Sequence, residues 1–315
     1  MTPRPSVPLV ASVLLAGTSC ILDPVDGPDY PAEWAASFQL DTLGVPVACA
    51  FSSDGGLAAV AAGGSVVVID PGSEASWLLF TAGDTLVDVD FLPDGSELVA
   101  VSQDSLYHAS PGSPAQPGRL ALPAGAAVVA PLGETAVCVI FEDGSLSVLE
   151  GPGWTVPPVV STPADTAIAA CATRSGTAVL IGDWDSLRVV DPSTGSARAS
   201  TALAGECRDV FTGGTGRVCS VCAGSNEVWV LDDSDLGVEL LVTFPSGPVS
   251  GAATPDGGWY YAACPGYGLL ISSSAGSLEF STEGYGVPCD IAMSPEGSAA
   301  ILLDSLSGTA FLLVR

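Results

Sequence analysis

The chain contains no lysine and a single histidine. Its eight basic residues are all arginine, set against 35 acidic residues, and the formal net charge over 315 residues is −27. A field of that sign repels polyanions, so nucleic acid and a bare anionic membrane face are excluded as partners. His108 stands beside Tyr107 in an apolar strand, where an imidazole is ordinarily a packed residue, so a histidine-based nucleophilic triad is disfavoured. Metalloprotease, nucleophile-elbow, phosphate-loop and dinucleotide motifs are missing. Carboxylate- or metal-dependent catalysis survives these exclusions. Charged residues make up only 14% of the chain, and beyond the first twenty residues no apolar run is long enough to span a bilayer. The acidic excess has two readings: a solvated surface that keeps the protein soluble, or carboxylates gathered around a cation such as Ca²⁺.

What is present is small and apolar, with 48% hydrophobic residues, 37 Gly and 25 Pro. Such a composition suits many short strands joined by tight turns. The amino terminus has its own character. Arg4 precedes an apolar run from Val7 to Ala16 and then small residues, which reads as a secretory signal peptide over residues 1–19. LLAGTSC resembles a lipobox, with Cys20 as the lipidated residue, although Gly17 replaces the leucine usual three residues earlier. Cleavage nearby without lipidation is the alternative. Residues 20–33, rich in Pro and acids, read as a linker before a domain spanning 34–315.

That domain repeats itself. An apolar strand, a turn around Asp-Gly or its equivalent, and a second apolar strand recur as CAFSSDGGLAAVA from Cys49, VDFLPDGSELVAV from Val89 and VVAPLGETAVCVI from Val128. ACATRSGTAVLIG from Ala170, DVFTGGTGRVCSV from Asp209, GAATPDGGWYYAA from Gly251 and IAMSPEGSAAILL from Ile291 complete the series. Turn markers at Gly55, Gly95, Glu134, Gly176, Thr215, Gly257 and Gly297 are separated by 40, 39, 42, 39, 42 and 40 residues. A period near 40 with this pattern belongs to four-stranded propeller blades. Each hairpin is followed by a third strand, and six copies add a fourth: WLLFT, GRLAL, PPVVS, ARAST, ELLVT and LEFST.

The seventh copy, Val287 to Arg315, stops after its third strand. ASFQLD, residues 36–41, precedes the first copy and has no hairpin of its own. It is therefore expected to pair beside Thr309 to Val314 and close an all-β, seven-bladed ring, because an open ring would leave two unpaired edges.

PCDIAMSPEGSAAILL in the last copy and NEVWVLD at Asn226 to Asp232 resemble the repeat of YVTN and WD40-like seven-bladed β-propellers of bacterial secreted proteins. The resemblance covers residues 36–315 and implies a fold more than a function, since such repeats occur in adhesion and cell-surface proteins, lactonases and lyases. The Gly-His and Trp-Asp marks of eukaryotic WD40 blades are absent, Trp184-Asp185 falling in a loop between second and third strands.

Eight cysteines follow Cys20. Folding the fifth hairpin about Gly214 and Thr215 sets Cys207 opposite Cys222, close enough for a disulfide, with small buried thiols as the alternative. Cys219 and Cys222 lie on opposite faces of one strand and are not expected to share a metal. Propellers take ligands at a channel mouth, on the face built by loops entering the first strand and loops joining the second to the third. Superposing the copies places Asp183, Trp184, Asp185, Tyr267 and Tyr285 on that face, with Asp88, Arg208 and Asp290 at matched positions near the axis. Carboxylates there can hold a cation or hydroxyls and the aromatics can stack on a sugar ring, or the loops are polar because they are wet. The resulting expectation is an exported, lipid-anchored, monomeric propeller in the periplasm or at the cell surface. It would act without catalysis as a binding or scaffolding module for a protein, peptide or carbohydrate. A lactonase- or lyase-type enzyme and a purely structural envelope protein are the alternatives.

Overall fold

The computed structural model of the chain describes Tyr30 and residues 32–114, 116–123, 125–151, 154–173, 175–214, 216–276, 278–281 and 286–315. Residues 1–19, expected from the sequence to be a signal peptide, together with Cys20 and Tyr285, lie outside these residues. Among the described residues there are 27 strands, grouped into seven antiparallel sheets. No described helix is long and apolar enough to cross a membrane. Each sheet is one blade, its first strand innermost, and the seven-bladed ring expected from the repeat is the fold.

Chain closure follows the expected scheme. Glu33–Gln39 pairs antiparallel with Thr309–Val314, from Glu33 opposite Val314 to Gln39 opposite Thr309, and completes the sheet of the last copy. The strand begins three residues earlier than ASFQLD, and the linker is tied down before it: the buried Tyr30 stacks on Trp259 with ring centroids 4.1 Å apart.

Hairpin turns need a left-handed residue, and glycine supplies it at Gly55, Gly95, Gly176, Gly257 and Gly297, with φ between 64° and 73°. In the third blade that residue is Gly133 (φ 59°), not the neighbouring Glu134. That blade also lacks a full outer strand. PPVVS makes a single bridge, Leu146 with Val160, because proline has no N–H to give to a ladder.

Among the described residues no apolar cluster occupies the centre of the ring. Seven apolar clusters fill the seven junctions between neighbouring blades, each drawing on both. Second strands such as Ala58–Ala62, Leu98–Ser102 and Ala299–Asp304 are buried along their whole length, since a neighbour covers each face. This explains why they read as unbroken apolar runs rather than alternating ones. Removing one wedge residue such as Ile301, which is fully buried, leaves a cavity worth ~2–5 kcal/mol.

Candidate functional site

Inner strands begin at the channel mouth and kink there. In blades 1, 2, 3, 5 and 7 the register shifts by one residue, between Pro46 and Ala48, Leu86 and Asp88, Ala126 and Val128, Cys207 and Asp209, and Pro288 and Asp290. A bulge of this kind re-aims one side chain. Counting back from the hairpin turns, Val47, Val87, Ala127, Ile168, Arg208, Val249 and Cys289 share one position, and all seven line the central channel of about 710 Å³. Six are apolar, and Arg208 is the one basic residue among the described lining.

The next position toward the opposite face holds Ala48, Asp88, Val128, Ala169, Asp209, Ser250 and Asp290. Its four polar members each accept an amide from the following blade. Val129 N–H donates to Asp88 Oδ2 at 2.8 Å, Gly251 N–H to Asp209 Oδ2 at 2.9 Å, Ile291 N–H to Ser250 Oγ at 3.2 Å and Cys49 N–H to Asp290 Oδ2 at 2.7 Å. These groups latch blade to blade. Asp88 and Asp290 therefore do meet around the axis as matched residues. Arg208 does not match them: it is the bulged residue of the fifth strand, the counterpart of Val87 and Cys289, and the equivalent of Asp88 and Asp290 is Asp209. Arg208 instead pairs with Glu206 at 2.9 Å, at the rim.

Ser250 Oγ lies 2.8 Å from Asp209 and 2.7 Å from Asp290. A hydroxyl has one proton, so two short carboxyl contacts require that one of the acids carry a second. Burial accounts for it. Burial, aided by the charge of Asp290, pushes Asp209 up to about 6. Asp290 is raised by burial against the opposing bonds from Ser250 and Cys49, and Asp88 by burial and the charges of Asp90 and Asp290. Two residues deeper along the strand, Asp90 receives only the Phe91 amide at 2.7 Å, and burial lifts it to about 7.

The loops between second and third strands behave differently. Asp183 is buried and spent on its own turn: its carboxylate accepts the Ser186 amide at 2.9 Å and the Ser186 hydroxyl at 2.8 Å, and pairs with Arg188. Burial works to raise Asp183, but Arg188 and Ser186 outweigh it and hold the acid below its usual range. Asp304 caps the corresponding turn of blade 7 through the amides of Val287 and Leu306, both at 2.9 Å. Trp184 and Asp185, by contrast, stand exposed at the tip of their loop, Trp184 by 59%, and Tyr267 is 40% exposed on the same face. The exposed apolar set continues with Val45, Val287 and Leu306, the last at 75%.

No three His, Cys, Asp or Glu side chains among the described residues come together to hold a metal ion. His108 is packed, as its strand context implies, with Nδ1 3.3 Å from Glu97 and its ring 5.3 Å from that of Trp154, away from the channel lining. Cys207 faces Cys222 in register as the hairpin predicts, yet both are free thiols, lying 3.3 and 3.9 Å from Ser220 Oγ. Cys219 and Cys222 fall in different inter-blade clusters, on opposite faces of their strand.

Asp209, Ser250 and Asp90 were missed by matching copies at their strand starts. Seven residues before the left-handed glycine lie Asp209 for Gly216 (φ 69°) and Ser250 for Gly257, as Asp88 does for Gly95 and Asp290 for Gly297, whereas the marker Thr215 points to Arg208.

No protein-family model matches the chain, and no curated protein matches it. Solved structures do. A chain of a mitotic checkpoint complex is 13% identical, with a TM-score of 0.78 over 98% of this chain and 99% of that one. The β-propeller domain of Cps50 (Swd1) from Myceliophteria thermophila is 15% identical, with a TM-score of 0.76 over 90% of this chain and all of that domain. At these identities the likeness is one of fold, a seven-bladed β-propeller.

Proposed function

We propose that the protein is an exported, lipid-anchored propeller that binds or scaffolds a partner protein through its channel-mouth face, without catalysis and without a required cofactor. One observation carries the reading. Val45, Val47, Trp184, Tyr267, Val287 and Leu306, large apolar side chains exposed by 36% or more, all lie on that single face. Exposed apolar surface around an opening that leads down to a few polar groups is the ordinary mark of a docking site. The two solved structures named above are propellers, one of them from an assembly of several proteins, which favours a protein partner over a carbohydrate. Export and anchoring rest on the first twenty residues, whose apolar run and Cys20 fit a lipoprotein leader.

Site-specific photo-crosslinking on whole cells tests it. A crosslinker at Leu306 or Trp184 is expected to trap a partner, whereas one at Leu241, exposed on the outer strand of blade 5, is not. Crosslinks from Leu241 alone would move the interface to the blade flanks and favour the structural role. Mass spectrometry of the mature chain checks acylation at Cys20.

A further inference from the structure

The collar at the mouth is apolar and what lies under it is acidic. Val47, Val87, Val249 and Ile168 surround the opening, and the four carboxyl groups of Asp88, Asp90, Asp209 and Asp290 line the channel below. Arg208, the only basic residue described in that lining, is spent on Glu206. To one side the collar runs on into an exposed apolar shelf. Ser305 bonds the carbonyl of Val287 through both its amide and its hydroxyl at 3.0 Å, which sets Leu306 beside Val287. Cys289 Sγ sits 3.3 Å from the carbonyl of Pro46, between Val45 and Val47, which joins that turn to the start of blade 1.

Resting on the reading that the mouth is the docking face, we infer that the partner presents an apolar segment with one arginine or lysine side chain, which enters the channel while its apolar neighbours cover the Val45–Val287–Leu306 shelf.

Charge complementarity selects this occupant. The chain carries −27 and no lysine, so an acidic or phosphorylated segment is repelled both at long range and at the mouth. Depth selects the side chain. At about 3.4 Å per residue the latch tier lies one step below the collar and Asp90 about 10 Å below it. A long apolar stem with a cationic head spans that path, its stem against the valines and its head among the carboxyls. A cation there also releases protons from acids that burial holds partly protonated, so binding strengthens as pH rises through their range.

Fluorescence anisotropy with the full mature chain tests the inference. The probes are labelled acetyl-heptapeptides with Leu and Val flanking a central Arg, Lys, citrulline or Glu. Arg or Lys peptides are expected to bind about tenfold tighter than the citrulline peptide, with no binding of the Glu peptide. Substituting Val45→Ser together with Leu306→Ser, both exposed and outside the wedges, should weaken the cationic peptides about fivefold, and Asp90→Asn should weaken Arg over citrulline specifically. The Arg peptide should bind more tightly at pH 7.5 than at pH 5.5. Equal binding of Arg and citrulline, no binding of either, or indifference to the Val45→Ser/Leu306→Ser pair overturns the inference. If crosslinks still form at Leu306 while every peptide fails, the mouth remains the docking face and only the cationic occupant is wrong. If crosslinks form only at Leu241, both fall.

Discussion

Blade 7 is built from the two ends of the chain and has four full strands; blade 3 is contiguous in sequence and has three. In blade 7 the outer strand pairs along the whole of Thr309–Val314, with one bulge between Trp34 and Ala36. In blade 3 the outer segment touches its neighbour at one bridge, Val160 with Leu146, plus a Ser147 hydroxyl donated to the carbonyl of Pro157 at 3.3 Å. Apolar filling takes over there: Trp154 packs with Leu149 in the wedge between blades 2 and 3. The difference separates two jobs of an outer strand. Within a blade it covers a wedge, and a well-placed tryptophan can do the same. At the seam it also joins residues nearly the full chain length apart, so its loss releases the whole ring-closure constraint.

Truncation tests that separation with the largest expected effect. A chain beginning at Leu40 should lose its cooperative transition or melt lower by more than ~10 °C, since β pairing and two wedges go together. Beginning at Tyr30 should leave the melting temperature within ~2 °C of that of a chain beginning at Cys20, and Tyr30→Ala should fall between, because it loses the ring contact with Trp259. Equal melting of the chains starting at Tyr30 and Leu40 would make the seam no different from the bare edge of blade 3.

The latches extend the comparison around the ring. Asp290 holds both Cys49 N–H and Ser250 Oγ at the junction next to the seam, whereas Asp88 holds the single amide of Val129 across to blade 3. Asp290→Ala should therefore cost ~2–4 kcal/mol in urea unfolding and Asp88→Ala about half of that. A reversed order would show that the junction beside the incomplete blade depends more on its latch.

The period, the turns and the shared blade were legible because each rests on local chemistry repeated seven times. Asp-Gly turns demand a left-handed residue, and an unpaired strand demands a partner. Other features depended on register. The fifth turn takes a left-handed residue at Gly216, one beyond the Thr215 marker, which moves the matched position from Arg208 to Asp209, and in blade 3 Gly133 rather than Glu134 takes the left-handed place. PPVVS has the apolar look of a strand, and only the missing N–H groups betray it. The candidate site was legible in outline only: Trp184 and Tyr267 are exposed as loop residues should be, but nothing local distinguishes Asp183, a spent turn cap, from its free neighbour Asp185. The apolar collar could not be read at all without the bulges that aim it.

Titration bears on the latch tier as a whole. Folded-state values of about 6 for Asp209 and about 7 for Asp90 lie above the ordinary carboxylate range. A raised acid favours the folded state when protonated, so this contribution is complete below about pH 4 and is lost as pH rises through 6 to 7. The exposed turn acids Asp54, Asp94 and Asp256 are lowered, first by bonds from Ser52, Ser96 and Thr254 respectively, and they act in the opposite sense only at lower pH. Melting temperature should therefore fall by about 2–4 °C between pH 5 and pH 8, and Asp90→Asn, which mimics the protonated acid, should flatten part of that slope. An unchanged slope in Asp90→Asn would mean the channel carboxyls do not set it.

The smallest effect belongs to blade 3 itself. Leu146 and Val160 exchange both backbone bonds, Val160 N–H donating at 2.7 Å and Leu146 N–H at 2.9 Å. In an antiparallel pair such rungs recur every second residue, so the next falls between Val148 and position 158. Proline at 158 has no hydrogen to give to the Val148 carbonyl, whereas position 157 would lie in a rung that needs none. Pro158→Val should therefore add one rung and at most ~1 kcal/mol, visible mainly as slower exchange of the Val148 amide, while Pro157→Val should do neither. A gain from Pro158→Val as large as the loss from Asp290→Ala would mean that outer rungs and inner latches contribute equally. The seam would then matter for its hydrogen bonds and not for the closure they make.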